Sequence, residues 1–331
     1  RPLVKGVFMT MLACLSERLN ISEAQCREFL TGASRKYKSY LIPKRSGGYR
    51  RIAQPSKELK CYQRAFLSLY DFPVHNNAMG YVRGRGIRDN ALMHASNPYL
   101  FKTDIANFFN SIKPHMFWLV LRQLAKGEIK TQQEIRLKME ILFEALILER
   151  EFVEELLFWR PGRQSEKLIL SIGAPSSPTI SNFCMFIFDE HISQICADYG
   201  IVYTRYVDDL TFSTAIPDIL PGFIHKLREE LKKCFSGAME LNLKKTVLSS
   251  MAHNRRVTGI TLTNSGNLSV GRKQKRYIKH LVHLFAEKNI TEEDFAYLRG
   301  YLSYARYVDP EFVVSLFNKY TCEIMNKIVC W

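Results

Sequence analysis

Two adjacent carboxylates, Asp208 and Asp209, sit in the string Tyr206-Val207-Asp208-Asp209-Leu210. Ile201-Val202-Tyr203-Thr204 leads in and Leu210-Thr211-Phe212-Ser213-Thr214 leads out. Both runs are rich in β-branched and aromatic residues, and Asp tolerates a turn. The pattern predicts a hairpin with carboxylates at its tip. Neighbouring carboxylates repel and call for a cation. Oxygen-only ligands suit Mg²⁺, held by one or two carboxylates plus substrate phosphates. A solvated Asp-Asp turn has the same sequence, so a third carboxylate in a matching context is needed. Tyr99-Leu100-Phe101-Lys102-Thr103-Asp104-Ile105 supplies it, a strand-like run ending in Asp104 with Asn107-Phe108-Phe109 after it.

Other elements must position these groups. Two apolar runs flank Ser46-Gly47-Gly48 between Tyr40 and Ile52, which predicts a hairpin with basic residues on both arms. Gln54 to Lys60 opens a helix with Ser56 as its N-cap. Gly80-Tyr81-Val82-Arg83-Gly84-Arg85-Gly86 is a glycine-rich basic loop, where Arg83 and Arg85 can meet phosphates. Asn90-Ala91-Leu92-Met93-His94 follows; by itself it reads as a helix with one polar face and a satisfied histidine. Helical spacing marks 118–124 and a longer helix over 134–159, whose glutamates read as a solvated face. Gly173-Ala174-Pro175-Ser176-Ser177-Pro178 opens a helix over 179–198. A helix is predicted over 223–235 and a strand over 255–260. From Gly271 the chain reads as helical. Ile278, Leu281, Val282 and Phe285 form its apolar stripe, and Lys273, Lys275, Arg276 and Lys279 are placed to line a duplex. Thr291 and Asp294 suggest a capping box.

The 331 residues are enough for a full core and two or three subdomains. Lys plus Arg total 47 against 32 Asp plus Glu, a formal charge of +15 that suits a phosphate-rich partner. No run of about twenty apolar residues occurs, which argues against a membrane span. The eight cysteines include no C-x-x-C pair, so zinc has little support, and their scatter suggests reduced thiols in a cytoplasmic protein. Lys5 before Gly6–Ala13 resembles a signal peptide faintly, and an amphipathic first helix is the simpler reading.

In order, Asp104 with Phe108-Phe109, then Gly173–Pro178, then Tyr206-Val207-Asp208-Asp209 resemble the motif set of reverse transcriptases. Asn90-Ala91-x-x-His94 and Val257-Thr258-Gly259 resemble two signatures of the retron branch, and Leu298–Tyr304 is similar to retron thumbs. The resemblance covers about residues 40–307. It implies an α+β right hand: an RRM-like palm sheet backed by helices, with fingers and a helical thumb. The divisions would be an N-terminal helical segment 1–35, fingers with the start of the palm 36–98, palm 99–264 with a helical insertion near 113–165, and an RNA-binding thumb 265–331. Asp104, Asp208, Asp209 and the backbone carbonyl of Ile105 would hold two Mg²⁺, with Mn²⁺ as a substitute. Arg50 and Lys44 would grip the nucleotide triphosphate. Lys245 would lie near its phosphates, and Phe109 would bar a ribose 2′-hydroxyl unless it is a palm-core aromatic. Asn90 and His94, with Arg83, Arg85 and the four thumb cations, would bind nucleic acid. One departure is Ile172, where the family usually has a Gln contacting the nucleotide. The partners implied are dNTPs, a cognate structured non-coding RNA, its branched RNA–DNA product (msDNA) and an effector or toxin protein in phage defence. An intron-encoded enzyme and a non-catalytic RNA-binding scaffold are the other readings.

Overall fold

The computed structural model describes residues 9–44, 47–129, 132–162 and 164–329. The Lys5–Phe8 part of the N-terminal stretch, and Arg45, Ser46 and Arg163, lie outside these. Helix α1 (Met11–Leu19) starts at Thr10, whose hydroxyl accepts from Ala13 N–H. Helix α2 (Glu23–Leu30) carries a reciprocal cap between Ser22 and Gln25. Strands β1 (Tyr37–Pro43) and β2 (Tyr49–Pro55) form the expected antiparallel hairpin, with Gly47 and Gly48 both at positive φ. Helix α3 (Lys57–Leu69) begins at Ser56, whose hydroxyl accepts from Leu59 N–H at 3.1 Å. The glycine-rich loop then leads into α4 (Ile87–Met93).

Strand β3 (Tyr99–Asp104) is followed by α5 (Phe108–Ser111), α6 (Pro114–Lys126), α7 (Gln133–Ile147) and α8 (Arg150–Leu157). The single helix expected over 134–159 is thus broken at Leu148-Glu149. Glu149 turns its carboxylate onto the start of α1, accepting from Leu12 N–H at 3.0 Å. Nor are its glutamates all solvated. Glu154 accepts from the Trp118 indole, and buried Glu155 accepts from Ser34 N–H and pairs with Arg160. Helices α9 (Ser177–Cys184) and α10 (Phe186–Asp198) are separated only at Met185. Strands β4 (Val202–Tyr206) and β5 (Asp209–Thr214) follow, then α11 (Ile219–Phe235) and β6 (Val247–Ser249).

These strands make an antiparallel sheet in the order β4-β5-β3-β6. Alternation along the strands gives it two unlike faces. Phe101, Leu210, Phe212 and Tyr203 point into the main core, where Phe212 stacks on Phe101 and Tyr203 and meets Phe223 of α11. The opposite face carries Lys102, Asp104, Thr204, Asp209, Thr211 and Ser213.

Strands β7 (Arg255–Val257), β8 (Ile260–Leu262) and β9 (Leu268–Ser269) form a separate small sheet. The strand expected over 255–260 is a hairpin instead. Thr258 and Gly259 are both at positive φ, as a tight two-residue turn requires, and Val257 pairs with Ile260. Helices α12 (Arg272–Ala286), α13 (Glu292–Val308), α14 (Pro310–Lys319) and α15 (Cys322–Val329) complete the chain. At the start of α13 Thr291 Oγ1 accepts from Asp294 N–H, one half of the capping box its sequence suggests, and the Asp294 carboxylate takes the Thr291 hydroxyl. A second core joins these helices to the small sheet and to Ala91, Ala95 and Leu100. The boundary expected at 264/265 therefore runs through a sheet that packs with the C-terminal helices. No helix among the described residues is long and apolar enough to cross a membrane.

Candidate active site

Strand register brings the three aspartates to one end of the central sheet. Asp104 stands opposite Asp209 across β3 and β5. Asp208 lies in the two-residue turn between β4 and β5, and its carbonyl accepts from Ile105 N–H at 3.0 Å. Asp104 is buried. Its Oδ2 accepts from Lys245 Nζ at 3.0 Å, while its Oδ1 is buried with no partner. Burial pushes the Asp208 carboxyl above its usual range, with Asp104 adding repulsion and Lys245 and Arg50 opposing it. Asp209 is pushed up to about 6 by burial, then by Asp208 and Asp104, against the pull of Lys102 and Lys245. An orphaned carboxylate oxygen and two strained neighbours fit a hard divalent cation. Lys245 supplies part of that positive charge in the protein alone.

The turn carrying Asp208 is itself held under tension. Val207 has φ +63°, which a β-branched residue adopts only when its surroundings impose it. Arg205 is fully buried and pairs with fully buried Asp189 at 2.6 Å. Its Nη1 also donates to the Val207 carbonyl at 3.1 Å and to Asn182 Oδ1 at 3.0 Å. Asn182 in turn donates to the Gly80 carbonyl at 2.9 Å. A Cβ on Gly80 would stand 2.8 Å from Val207 N and 2.7 Å from its Cγ2, so only glycine lets the loop close on the turn. Gly80 belongs to the glycine-rich loop named from the sequence, but its approach to this turn was not expected, and Asn182, Asp189 and Arg205 were not singled out. Tyr81 is another omission: it is exposed at φ +60°, and Asp208, Tyr206 and Arg50 all influence its phenol. A glycine-tyrosine step beside a basic loop was the available signal for it.

The remaining expected residues divide. Arg50 is exposed on β2 and close enough to Asp208 to lower its titration. Lys44 is exposed at the hairpin tip, where its N–H donates to the Gly48 carbonyl. Phe109 is half-buried and edge-on to Phe108. Ile172 offers its carbonyl to Ala53 N–H at 3.0 Å, which docks the Gly173 loop on β2. Arg83 is exposed. Arg85 is not free for phosphates, because its guanidinium donates to the carbonyls of His75, Asn76 and Ala78. Of the thumb cations, Lys273, Arg276 and Lys279 are exposed. Lys275 is paired with buried Asp309 at 2.7 Å, and both Lys275 and Lys279 lie over the Phe312 ring.

Asn90 and His94 do not face a nucleic acid; both are completely buried. Asn97 donates to Ser213 Oγ, and His94 Nδ1 and Nε2 lie 2.7 Å from Ser213 Oγ and Thr204 Oγ1. Thr204 donates to Asn90 Oδ1 at 2.5 Å, so His94 Nε2 must carry the proton and Nδ1 must accept from Ser213. The chain of bonds holds a neutral imidazole, and burial pushes its pKa down to about 3. This is the satisfied histidine of the simpler reading. The Thr258 hydroxyl also donates to the Ile87 carbonyl at the start of α4, and Ala91 and Val257 share one core, so the helix bearing Asn90 and His94 packs with the Val-Thr-Gly turn.

A model of the reverse transcriptase (RNA-dependent DNA polymerase) family matches residues 42–262. The chain is 42% identical over 288 residues to the retron Ec83 reverse transcriptase of Escherichia coli, covering 86% of each protein. The chain belongs to the retron reverse transcriptases. It is also 29% identical to the retron Ec73 enzyme of Escherichia coli, over 87% of this chain and 88% of that one. Among solved structures, a telomerase from Candida albicans in complex with a fragment of telomeric RNA aligns with a TM-score of 0.47 and 12% identity, over 88% of this chain and 58% of that one. Membership of that family makes the protein an RNA-directed DNA polymerase with a right-hand polymerase fold, and its four-stranded sheet is backed by helices.

Proposed function

We propose that this reverse transcriptase copies part of its own structured non-coding RNA, starting from the 2′-hydroxyl of an internal guanosine and leaving a branched RNA-linked single-stranded DNA. The observation that carries the chemistry is the meeting of Asp104, Asp208 and Asp209, with one buried Asp104 oxygen unpartnered. Asp104, Asp208, Asp209 and the Ile105 carbonyl would hold two Mg²⁺, which when bound lower the pKa of the attacking hydroxyl and neutralise the triphosphate.

The chain's own residues do the rest. Arg50 grips triphosphate oxygens with its planar fork. Lys245 is held on Asp104 and its side chain is largely exposed, so it is placed to shift onto incoming phosphates. Phe109 stands against a ribose 2′-hydroxyl and favours deoxynucleotides. Arg205 holds the Val207 carbonyl and so fixes the direction of the Asp208 carboxylate. Arg83, Lys273 and Arg276 meet RNA phosphates. The enzyme works in the cytosol with an effector protein in phage defence; all the described cysteines are free thiols, as that compartment allows.

The test is expression with the flanking genomic DNA, followed by analysis of co-purified nucleic acid beside an Asp208→Ala/Asp209→Ala control. A branched RNA–DNA species in the wild type alone is expected. RNA without linked DNA in both would favour a scaffold. Extension of an annealed primer with no branched product would keep the polymerase and remove the priming step.

A further inference from the structure

Two helices behind the central sheet bring three unlike metal-binding groups together. His191 is on α10, and Glu230 and Cys234 are on α11, spaced by four and therefore on one face. His191 Nδ1 lies 3.0 Å from Glu230 Oε1, and Cys234 Sγ lies 3.7 Å from each of these two atoms. Around a tetrahedral ion with Zn–N and Zn–O near 2.0–2.1 Å and Zn–S near 2.3 Å, neighbouring ligand atoms stand roughly 3.3–3.6 Å apart. The three atoms already form one face of that tetrahedron to within a few tenths of an ångström.

The fourth corner is open. The same three residues line a cavity of about 250 Å³ whose other walls include Val120, Ile187 and Phe235. Gln123 and Lys233 add polar wall, and the three groups already hydrogen-bond to one another, so an ion would take over existing bonds. Lys233 also reaches Glu230, but through the other oxygen, Oε2, at 3.4 Å, and its side chain is 77% exposed. Oε1 is left for the cluster. The donor set also differs in kind from the three aspartates, since mixed nitrogen, oxygen and sulfur select a zinc-class ion while oxygen alone selects Mg²⁺.

We propose that His191, Glu230 and Cys234 form a second metal site, for a zinc-class transition ion with water as fourth ligand. On binding, the Cys234 S–H and His191 Nδ1–H bonds are replaced by bonds to the metal; the thiol proton passes to solvent, and the imidazole stays neutral with its proton on Nε2. The ion would clamp α10 to α11, the helices packed behind β4 and β5, and so steady the hairpin that carries Asp208 and Asp209.

The experiment is a Co²⁺ titration of the metal-stripped full chain, carrying its bound RNA, with Mg²⁺ in excess to occupy the aspartates. One equivalent should bind with the intense visible bands of a tetrahedral site and a sulfur-to-cobalt charge-transfer band, both erased by Zn²⁺. Zn²⁺ should also raise the melting temperature of the stripped protein. Cys234→Ser should abolish the charge-transfer band while circular dichroism stays native. His191→Ala and Glu230→Gln should each weaken binding by more than about tenfold, the lower end of what is lost when a residue that merely orients a ligand is removed. An Asp208→Asn/Asp209→Asn variant should keep the bands. Should Cys234→Ser fail to fold, the His191 and Glu230 variants decide by affinity. Absence of the bands at excess cobalt, bands that survive Cys234→Ser, or affinity unmoved in both other variants would overturn the proposal.

Discussion

At the scale of single residues, the cost of the carboxylate cluster is visible before any substrate arrives. Burial first, and then repulsion among the aspartates, holds Asp209 at about 6 and raises Asp208 beside it, with Lys245 and its basic neighbours offsetting only part. Replacing Asp104 or Asp208 by Asn should remove at least about 10³-fold in primer extension, since ion-held charge stabilisation is worth several kcal/mol and each 1.4 kcal/mol is about tenfold. The same variants should melt no lower than wild type in the absence of divalent ions. A clear loss of melting temperature would mean that these groups support the fold. His94 makes the opposite kind of prediction. Its folded pKa is about 3 against an ordinary 6.5, so the folded state refuses a proton that the unfolded chain accepts. Stability should be fully present above about pH 6.5 and decline as pH falls toward 3, by up to about 1.4 kcal/mol per pH unit. His94→Gln should be less stable at neutral pH and show a flatter acid limb in urea denaturation. Parallel pH curves would refute the neutral, buried assignment. The three aspartates were legible because strand-forming runs surround them. The burial of His94 was not, because nothing local says which strand α4 will cover.

Elements decide where these residues end up. The hairpin β4–β5 keeps a valine at positive φ through one buried arginine and one glycine contact. Asp189→Asn would leave Arg205 buried without its counter-charge, a loss of about 3–5 kcal/mol. Gly80→Ala is the finer probe. Its methyl group would displace the Val207 backbone, so primer extension should fall by about tenfold or more, as small misplacements near the chemistry do. Circular dichroism should remain native, and the Mg²⁺ requirement should rise. Unchanged kinetics would show that the loop yields instead of the turn. Turn chemistry also separates what the sequence disclosed from what it concealed. Gly47-Gly48 announced the first hairpin through its left-handed pair. Thr258-Gly259 makes a tighter turn, only two residues between Val257 and Ile260, but Thr belongs to the strand-formers and disguised it as a continuous strand. The break at Glu149 was hidden for a different reason. Its cause is a hydrogen bond to Leu12 N–H, a residue 137 positions away.

Over the whole molecule, the formal charge of +15 is the electrostatic handle on RNA, but individual cations serve different ends. On α12, Lys273 and Arg276 are exposed, while Lys275 turns inward to Asp309, whose carboxylate also accepts from the N–H groups of Val270 and Phe312. Composition and helical spacing placed all four cations near a duplex and had no means of telling them apart, because the distinguishing partner, Asp309, lies at the junction of α13 and α14. The two classes should separate experimentally. Each phosphate contact contributes about 0.9 to the slope of log affinity against log salt. Lys273→Ala/Arg276→Ala should therefore lower that slope by about 2 in RNA binding, with little change in melting temperature. Lys275→Ala should do the reverse, leaving the slope alone and costing about 1–3 kcal/mol, because it strands a buried carboxylate. If Lys275→Ala flattens the salt dependence instead, Asp309 releases it when RNA binds, and the second core opens on the side that meets the nucleic acid.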